Sequence, residues 1–232
     1  ACAVMRMKQK GWVSIAAFGG SMTWGTAVET PTAEWPTWPN LLAMRFEKEF
    51  GINASVRNLA MRAAGSELPA LCTDHLLDAG RNSLSSGDIG ASCSHHTGER
   101  DDEPVDIIGL EFSINGMQKL DQLLAHAQRR YPSAIVVYVD HFSWAHYNLP
   151  PVGDPEWNQS RWHPDWQAGD RVAPICGHVQ ESLQAAGALL FSLRSAMRDF
   201  SLHESVPYYA PDRHHLSALG HLAVADGVWS TL

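Results

Sequence analysis

Five short strand-like stretches, four of them mostly apolar, alternate with helix-like stretches along the chain, and this alternation limits the folds available to it. The predicted strands cover residues 13–18, 54–59, 105–112, 134–140 and 188–193, with helices predicted at 38–50, 66–79, 117–130 and 175–186 and a short helical turn at 194–200. Strands that alternate with helices form a parallel sheet covered by helices on both faces. The sequence therefore predicts a single α/β domain over residues 1–232, with three α/β/α layers.

The first apolar stretch ends on two glycines and a serine. Gly19 and Gly20 allow a tight turn, which delivers Ser21 to the carboxyl end of a predicted strand. Parallel sheets in α/β proteins carry their chemistry at that edge. Ser21 is therefore a candidate nucleophile, although a Gly-Gly-Ser sequence after a strand is more often only a turn.

A candidate base and its carboxylate lie near the other end of the chain. A serine nucleophile needs a histidine to remove its proton and a carboxylate to orient that histidine, and the spacing of Asp212 and His215 lets one loop supply both. His214 is adjacent, and the spacing favours His215 as the base, with His214 structural or at the rim. Without Ser21, the same residues would be read as a solvated loop. The following helix is predicted to begin at Ser217, with Leu219, Leu222 and Ala223 on one face.

Four segments, in the same order along the chain, resemble the sequence blocks of the SGNH or GDSL-type hydrolase family. These segments are Gly20-Ser21, residues 58–66, residues 111–116 (Glu-Phe-Ser-Ile-Asn-Gly) and residues 212–217 (Asp-Arg-His-His-Leu-Ser). The resemblance implies a flavodoxin-like parallel sheet of five strands in the order 2-1-3-4-5. It also implies a serine esterase that works through a covalent acyl-enzyme, with Ser21, His215 and Asp212 as the catalytic triad.

The same resemblance implies an oxyanion hole with three hydrogen-bond donors. These would be the N–H of Ser21, an N–H from the second block and the side-chain amide of Asn115. Ala63 stands where the family usually has glycine, and it can still serve because only its backbone N–H is needed, while Gly65 is a second candidate. Gly116 stands where aspartate is usual. Because of these departures, a non-enzymatic carbohydrate-binding module on the same scaffold stays open as an alternative.

Tryptophan residues are expected to border the pocket. Trp24 follows Ser21 by three residues, and Trp144 follows the fourth predicted strand at the same edge of the sheet. Trp144 lies in the second of two irregular insertions, which are predicted at about 81–104 and 141–174. Sugar rings or acyl chains could pack on such aromatic faces, or the rings could simply pack the loops. The favoured substrate is an O-acetyl or short acyl ester on a carbohydrate; a lipid esterase, a thioesterase and an acyltransferase are the alternatives.

Charge and hydropathy restrict the partners. The formal net charge is −8 at pH 7 and no Lys/Arg cluster exceeds a pair, which argues against nucleic acid and anionic membranes. No apolar stretch approaches the roughly 20 residues of a membrane-spanning helix. The expected partner is therefore a small-molecule or polysaccharide ester.

The cysteines bear on cofactors and localisation. The four cysteines include no C-x-x-C pair, so neither a zinc site nor another cofactor is expected. Cys72 and Cys93 are candidates for a disulfide. The sequons Asn53-Ala54-Ser55 and Asn158-Gln159-Ser160 favour a secretory or extracellular setting over the cytoplasm. The chain begins at Ala1 without a signal peptide, which indicates a processed form or part of a longer protein.

Overall fold

A parallel sheet forms the centre of the molecule. The computed structural model describes residues 2–26, 36–79, 104–143, 177–197, 200 and 202–232. Its strands are β1 (Trp12–Gly19), β2 (Asn53–Asn58), β3 (Ile107–Glu111), β4 (Ile135–Asp140) and β5 (Leu189–Ser192). All neighbouring strands are parallel, in the order β2-β1-β3-β4-β5. The predicted fold class and strand order are confirmed.

Helices connect the strands and cover both faces of the sheet. They are α1 (Cys2–Lys10), α2 (Ser21–Trp24), α3 (Trp38–Phe50), α4 (Glu67–Ala79), α5 (Leu120–Arg130), α6 (Gly177–Ala185), α7 (Leu193–Ala196), α8 (Leu202–Ser205), a 3-10 turn (Val206–Tyr208) and α9 (Ala218–Thr231). None of these helices, within the ranges described, is long and apolar enough to cross a membrane.

The hydrophobic core has two halves because β1 is buried on both faces. Val13 and Ile15 point into a cluster that includes residues of α3 and α9. Ala16 and Phe18 point into a second cluster that includes residues of α4, α5 and α6. Strand side chains alternate between faces, so a nearly continuous apolar strand is the pattern of a parallel sheet covered on both sides.

Two helix starts differ from the sequence expectation. No element was predicted before the first strand, yet α1 covers Cys2–Lys10 and buries Met7 completely. The helix predicted from residue 117 begins at Leu120, because Lys119 has φ 60°, in the left-handed region. A residue in that conformation does not continue a right-handed helix.

The last helix starts as predicted but packs on a different face. The Ser217 side chain accepts the N–H of Gly220 at 3.2 Å, which caps α9. Leu219 and Leu222, however, are 43% and 44% exposed. Gly220 lies against the carbonyl oxygen of Tyr208, which would be 2.1 Å from a β-carbon at this position. Close approach at glycine therefore sets the buried face, which comprises Gly220, His221, Val224, Ala225 and Val228.

The predicted insertions at 81–104 and 141–174 lie outside the described residues, except for Pro104 and residues 141–143. His141, Phe142 and Ser143 are fully buried rather than part of a surface loop. Cys72 is disulfide-bonded. Cys93, the partner expected from the sequence, lies outside the described residues.

Candidate active site

Ser21, His215 and Asp212 form a line of hydrogen bonds at the carboxyl edge of the sheet. The Nε2 atom of His215 lies 2.9 Å from the Oγ atom of Ser21. On the other side of the ring, Nδ1 of His215 lies 2.6 Å from Oδ2 of Asp212. This arrangement can move a proton from the serine to the histidine while the carboxylate fixes the ring.

The loop that carries Asp212 and His215 is fixed by backbone hydrogen bonds. Oδ1 of Asp212 accepts the N–H groups of His214 at 2.9 Å and His215 at 3.0 Å. Arg213 has φ 57° and donates its N–H to the carbonyl of Ala210, closing the turn. Burial raises the pKa of Asp212, but the hydrogen bonds from His215 and the two backbone N–H groups outweigh it and leave that pKa below its ordinary value. Asp212 is therefore a carboxylate at neutral pH.

His214 has a hydrogen-bond partner other than Ser21. Its Nδ1 atom lies 2.6 Å from Oγ of Ser143, which is fully buried after β4. The rings of His214 and His215 meet edge to face, with their centroids 4.5 Å apart. His214 therefore limits the positions open to the His215 ring, and it is His215 that is hydrogen-bonded to Ser21.

The expected oxyanion donors lie around Ser21. The Ser21 N–H is in the first turn of α2, where no preceding turn accepts it. In the part of the chain that the structure describes, no backbone hydrogen bond takes the N–H of Ala63 or Gly65. Gly20 allows the amide of Asn115 to approach, since a β-carbon on Gly20 would lie 1.5 Å from Nδ2 of Asn115.

The second and third sequence blocks contact each other beside these donors. A β-carbon on Gly65 would lie 2.9 Å from the carbonyl oxygens of both Asn115 and Gly116. Ala63 has φ 58°, which is uncommon for a residue with a side chain. Ser66, which precedes α4, donates its hydroxyl to the carbonyl of Gln118.

A groove of 670 Å³ opens beside Ala63 and Gly65. Trp24 lines it, as do the apolar side chains of Met61, Leu68 and Leu71. Leu68 is 44% exposed and Leu71 is 67% exposed. Trp144 lies outside the described residues. Among the residues that the structure does describe, no cluster of His, Cys, Asp or Glu could hold a metal ion.

The sequence was compared with models of known protein families. The GDSL-like lipase/acylhydrolase family model matches residues 17–223. The chain belongs to this family. The resemblance expected from the four sequence blocks is thereby confirmed. No match was found among curated proteins.

Solved structures of esterases share the fold of this GDSL-type hydrolase. A two-domain esterase active on acetylated mannans aligns with a TM-score of 0.60 and 14% identity, covering 98% of this chain and 51% of the other. The chain thus spans about half the length of that esterase. An acetyl xylan esterase from Geobacillus stearothermophilus aligns with a TM-score of 0.58 and 12% identity, covering 94% of each chain. A psychrotrophic esterase from Pseudoalteromonas sp. aligns with a TM-score of 0.56 and 14% identity, covering 94% of this chain and 95% of the other.

Two ionisable residues of this GDSL-type hydrolase were missed as site residues by the sequence interpretation. In the sequence, Glu111 is part of the third block and His141 begins the second predicted insertion. They end β3 and follow β4, and Oε1 of Glu111 lies 3.2 Å from Nδ1 of His141. The signal available in the sequence was the position of both residues at the edge of the sheet that carries Ser21.

Burial shifts the pKa values of this pair in opposite directions. Loss of solvation raises the pKa of Glu111 to about 8, although hydrogen bonds from Thr23 and Gly20 act against the rise. Burial, with smaller contributions from nearby cationic groups, lowers the pKa of His141 to about 3. Both side chains are therefore uncharged at neutral pH.

Proposed function

We propose that this chain is a serine esterase that removes an O-acetyl or short acyl group from a carbohydrate. The observation that carries the proposal is the hydrogen-bonded line from Asp212 through His215 to Ser21. The order of the groups and their distances suit nucleophilic attack on an ester carbonyl.

In the proposed reaction, Ser21 attacks the ester carbonyl and His215 takes its proton at Nε2. Asp212 stabilises the resulting imidazolium. His215 then protonates the leaving alcohol, which departs and leaves an acyl group on Ser21. A water molecule, deprotonated by His215, releases the acid and restores the serine.

The negative oxygen of each tetrahedral intermediate would be held by three donors. These are the N–H of Ser21, the N–H of Ala63 or Gly65 and the side-chain amide of Asn115. Removal of one such donor lowers kcat by roughly 10²- to 10³-fold in enzymes of this type.

The carbohydrate part of the proposal is supported by the fold neighbours. Their descriptions name acetylated mannans and acetyl xylan as substrates. Trp24 in the groove offers an aromatic face on which a sugar ring can stack. Trp144, outside the described residues, is predicted to border the same pocket.

The apolar groove favours a second candidate, an esterase for longer acyl chains. Met61, Leu68 and Leu71 line the groove next to the proposed oxyanion donors. An acyl chain of several carbons could bury apolar surface there, at about 0.8 kcal/mol for each buried methylene.

A small substrate panel tests both candidates. p-Nitrophenyl acetate, p-nitrophenyl octanoate, acetylated xylo-oligosaccharides and acetylated manno-oligosaccharides are compared by kcat/KM. The proposal expects the acetylated oligosaccharides to be the best substrates, and an octanoate that exceeds them would select the second candidate. Ser21→Ala should lower kcat by about 10⁴-fold or more on every substrate. If Ser21→Ala kept parental turnover, the proposed nucleophile would be wrong.

A further inference from the structure

A line of buried polar side chains, called here the buried network, lies behind the turn that carries Ser21. Its members are His141, Glu111, Thr23, Trp38 and His221, and none is more than 1% exposed. Nε1 of Trp38 donates to Oγ1 of Thr23 at 3.2 Å, and the Trp38 N–H donates to Nδ1 of His221 at 3.3 Å. Burying polar groups costs free energy unless they are hydrogen-bonded, so a cluster of them beside the proposed nucleophile suggests a functional reason.

Glu111 holds both ends of the turn around Ser21. Its Oε2 atom accepts the Thr23 hydroxyl at 3.2 Å and lies 3.4 Å from the Gly20 nitrogen. Its backbone carbonyl also accepts the N–H of Gly20, at 3.2 Å. Gly20 and Thr23 flank Ser21 in the chain, so the direction of the serine hydroxyl depends on this one side chain.

The second oxygen of Glu111 faces His141. Oε1 of Glu111 and Nδ1 of His141 are 3.2 Å apart, and neither atom has a well-aligned hydrogen-bond partner among the described residues. A proton on Oε1 directed at Nδ1 would satisfy both atoms and leave Oε2 as an acceptor for Thr23 and Gly20. The upward pKa shift of Glu111 and the downward shift of His141 agree with this uncharged state.

We propose that Glu111 is a positioning residue for the nucleophile, and that its uncharged carboxyl, paired with His141, holds Gly20 and Thr23 so that Ser21 reaches His215. This inference rests on the proposed function. A neutral acid has a second advantage here. A negative charge beside Gly20 would lie close to the Ser21 N–H and oppose the developing oxyanion.

The test compares two replacements of Glu111 that differ in hydrogen bonding. Glu111→Gln keeps an acceptor for Thr23 and Gly20 and directs its NH₂ group at His141, so kcat should stay within about threefold of the parent, since the donors keep their place. Glu111→Leu has a similar shape and no acceptor, and kcat should fall by about 100-fold because the nucleophile is misplaced. KM should change much less than kcat, since the groove is not altered.

The matched control is a second buried carboxyl beside β3. Asp106 lies at the amino end of that strand, 5% exposed, and bonds Lys10 and the Ser14 N–H. Asp106→Asn should keep parental kcat because it is remote from Ser21. All variants are checked by thermal unfolding on the full chain.

If Glu111→Leu does not fold, Thr23→Val removes the hydroxyl that Glu111 accepts and keeps the side-chain shape. Its kcat should fall by about tenfold with KM little changed, because the Thr23 hydroxyl loses its hydrogen bond to Glu111 and no longer accepts the N–H of Trp38. Parental kcat in Glu111→Leu or Thr23→Val, or an equal loss in Glu111→Gln and Glu111→Leu, would overturn the inference. Ser21→Ala separates the two proposals, because an active Ser21→Ala defeats the proposed function, while an inactive Ser21→Ala beside a fully active Glu111→Leu defeats only the positioning role.

Discussion

Replacement of Glu111 by glutamine should make the folded protein less sensitive to alkaline pH. The native pKa of Glu111 is raised from 4.5 to about 8 by burial, and that of His141 is lowered from 6.5 to about 3. Between pH 4.5 and 6.5 the native pair holds one proton, on Glu111, and the unfolded pair also holds one, on His141. The pair therefore contributes no pH dependence to the free energy of unfolding in that window.

From pH 6.5 to 8 the two states differ by one proton. The unfolded chain has released the histidine proton, while native Glu111 keeps its own. An acid whose pKa is higher in the native state than in the unfolded chain stabilises the protein at low pH, and this stabilisation is lost as the pH rises toward the native pKa. The loss is about 1.4 kcal/mol per pH unit, or about 2 kcal/mol over this window. Glutamine does not titrate, so Glu111→Gln should escape the loss.

The assay is urea unfolding of the parent and Glu111→Gln at pH 6.5 and pH 8.0, at constant ionic strength. The free energy of unfolding of the variant, minus that of the parent, should be about 2 kcal/mol larger at pH 8.0 than at pH 6.5. This corresponds to a change of about 4–8 °C in the difference between their Tm values. Glu49→Gln removes an exposed acid and gives the background effect. The other ionisable groups near the pair are common to both proteins, so their contributions largely cancel: Tyr138, Asp140, Arg194, His214, His215 and His221. A difference that does not change with pH would refute the uncharged Glu111.

Three further predictions concern the site itself. His215→Ala should lower kcat by about 10⁴-fold, while His214→Ala should cost roughly tenfold or less, because only His215 contacts Ser21; equal losses in two folded proteins would contradict this assignment. Gly20→Ala should displace the Asn115 amide and lower kcat for p-nitrophenyl acetate by about 10²-fold, as for loss of one oxyanion donor, and unchanged kcat would show that the amide is not needed. Trp24→Ala should raise KM for the best oligosaccharide by about two- to tenfold and leave kcat nearly unchanged. Its kcat/KM ratio between that substrate and a minimal acetate ester should fall, and an unchanged ratio would make the ring a packing residue.

The sheet was predictable because its signals are local. Four of the five predicted strands are mostly apolar runs of six to eight residues, and such runs indicate strands without reference to the rest of the chain. The positions of Ser21 and of the Asp212 to His215 loop follow from the same patterns, since each lies where a regular element ends. The family model matches residues 17–223, so the family can be recognised over most of the chain.

The features that were missed depend on contacts between distant segments. Glu111 ends β3 and His141 follows β4, and the pairing of these two strands brings the two side chains together. The exposure of Leu219 and Leu222 follows from the close approach of Gly220 to Tyr208, which no periodicity reveals. The helix α1 packs against the core through Met7, which is a contact with distant parts of the chain.

The proposed nucleophile and base come from opposite ends of the chain, since Ser21 and His215 are 194 positions apart. Ser21 is placed by an inner strand of the sheet, whereas His215 comes from the segment after the last strand. Contacts between residues so far apart in sequence have a high entropic cost and tend to form late in folding. During refolding, secondary structure should therefore return before esterase turnover, and turnover should report the final docking of the two ends. A chain halted before His215 would lack the proposed base and also α9, which supplies part of the core, so we expect no esterase turnover from it.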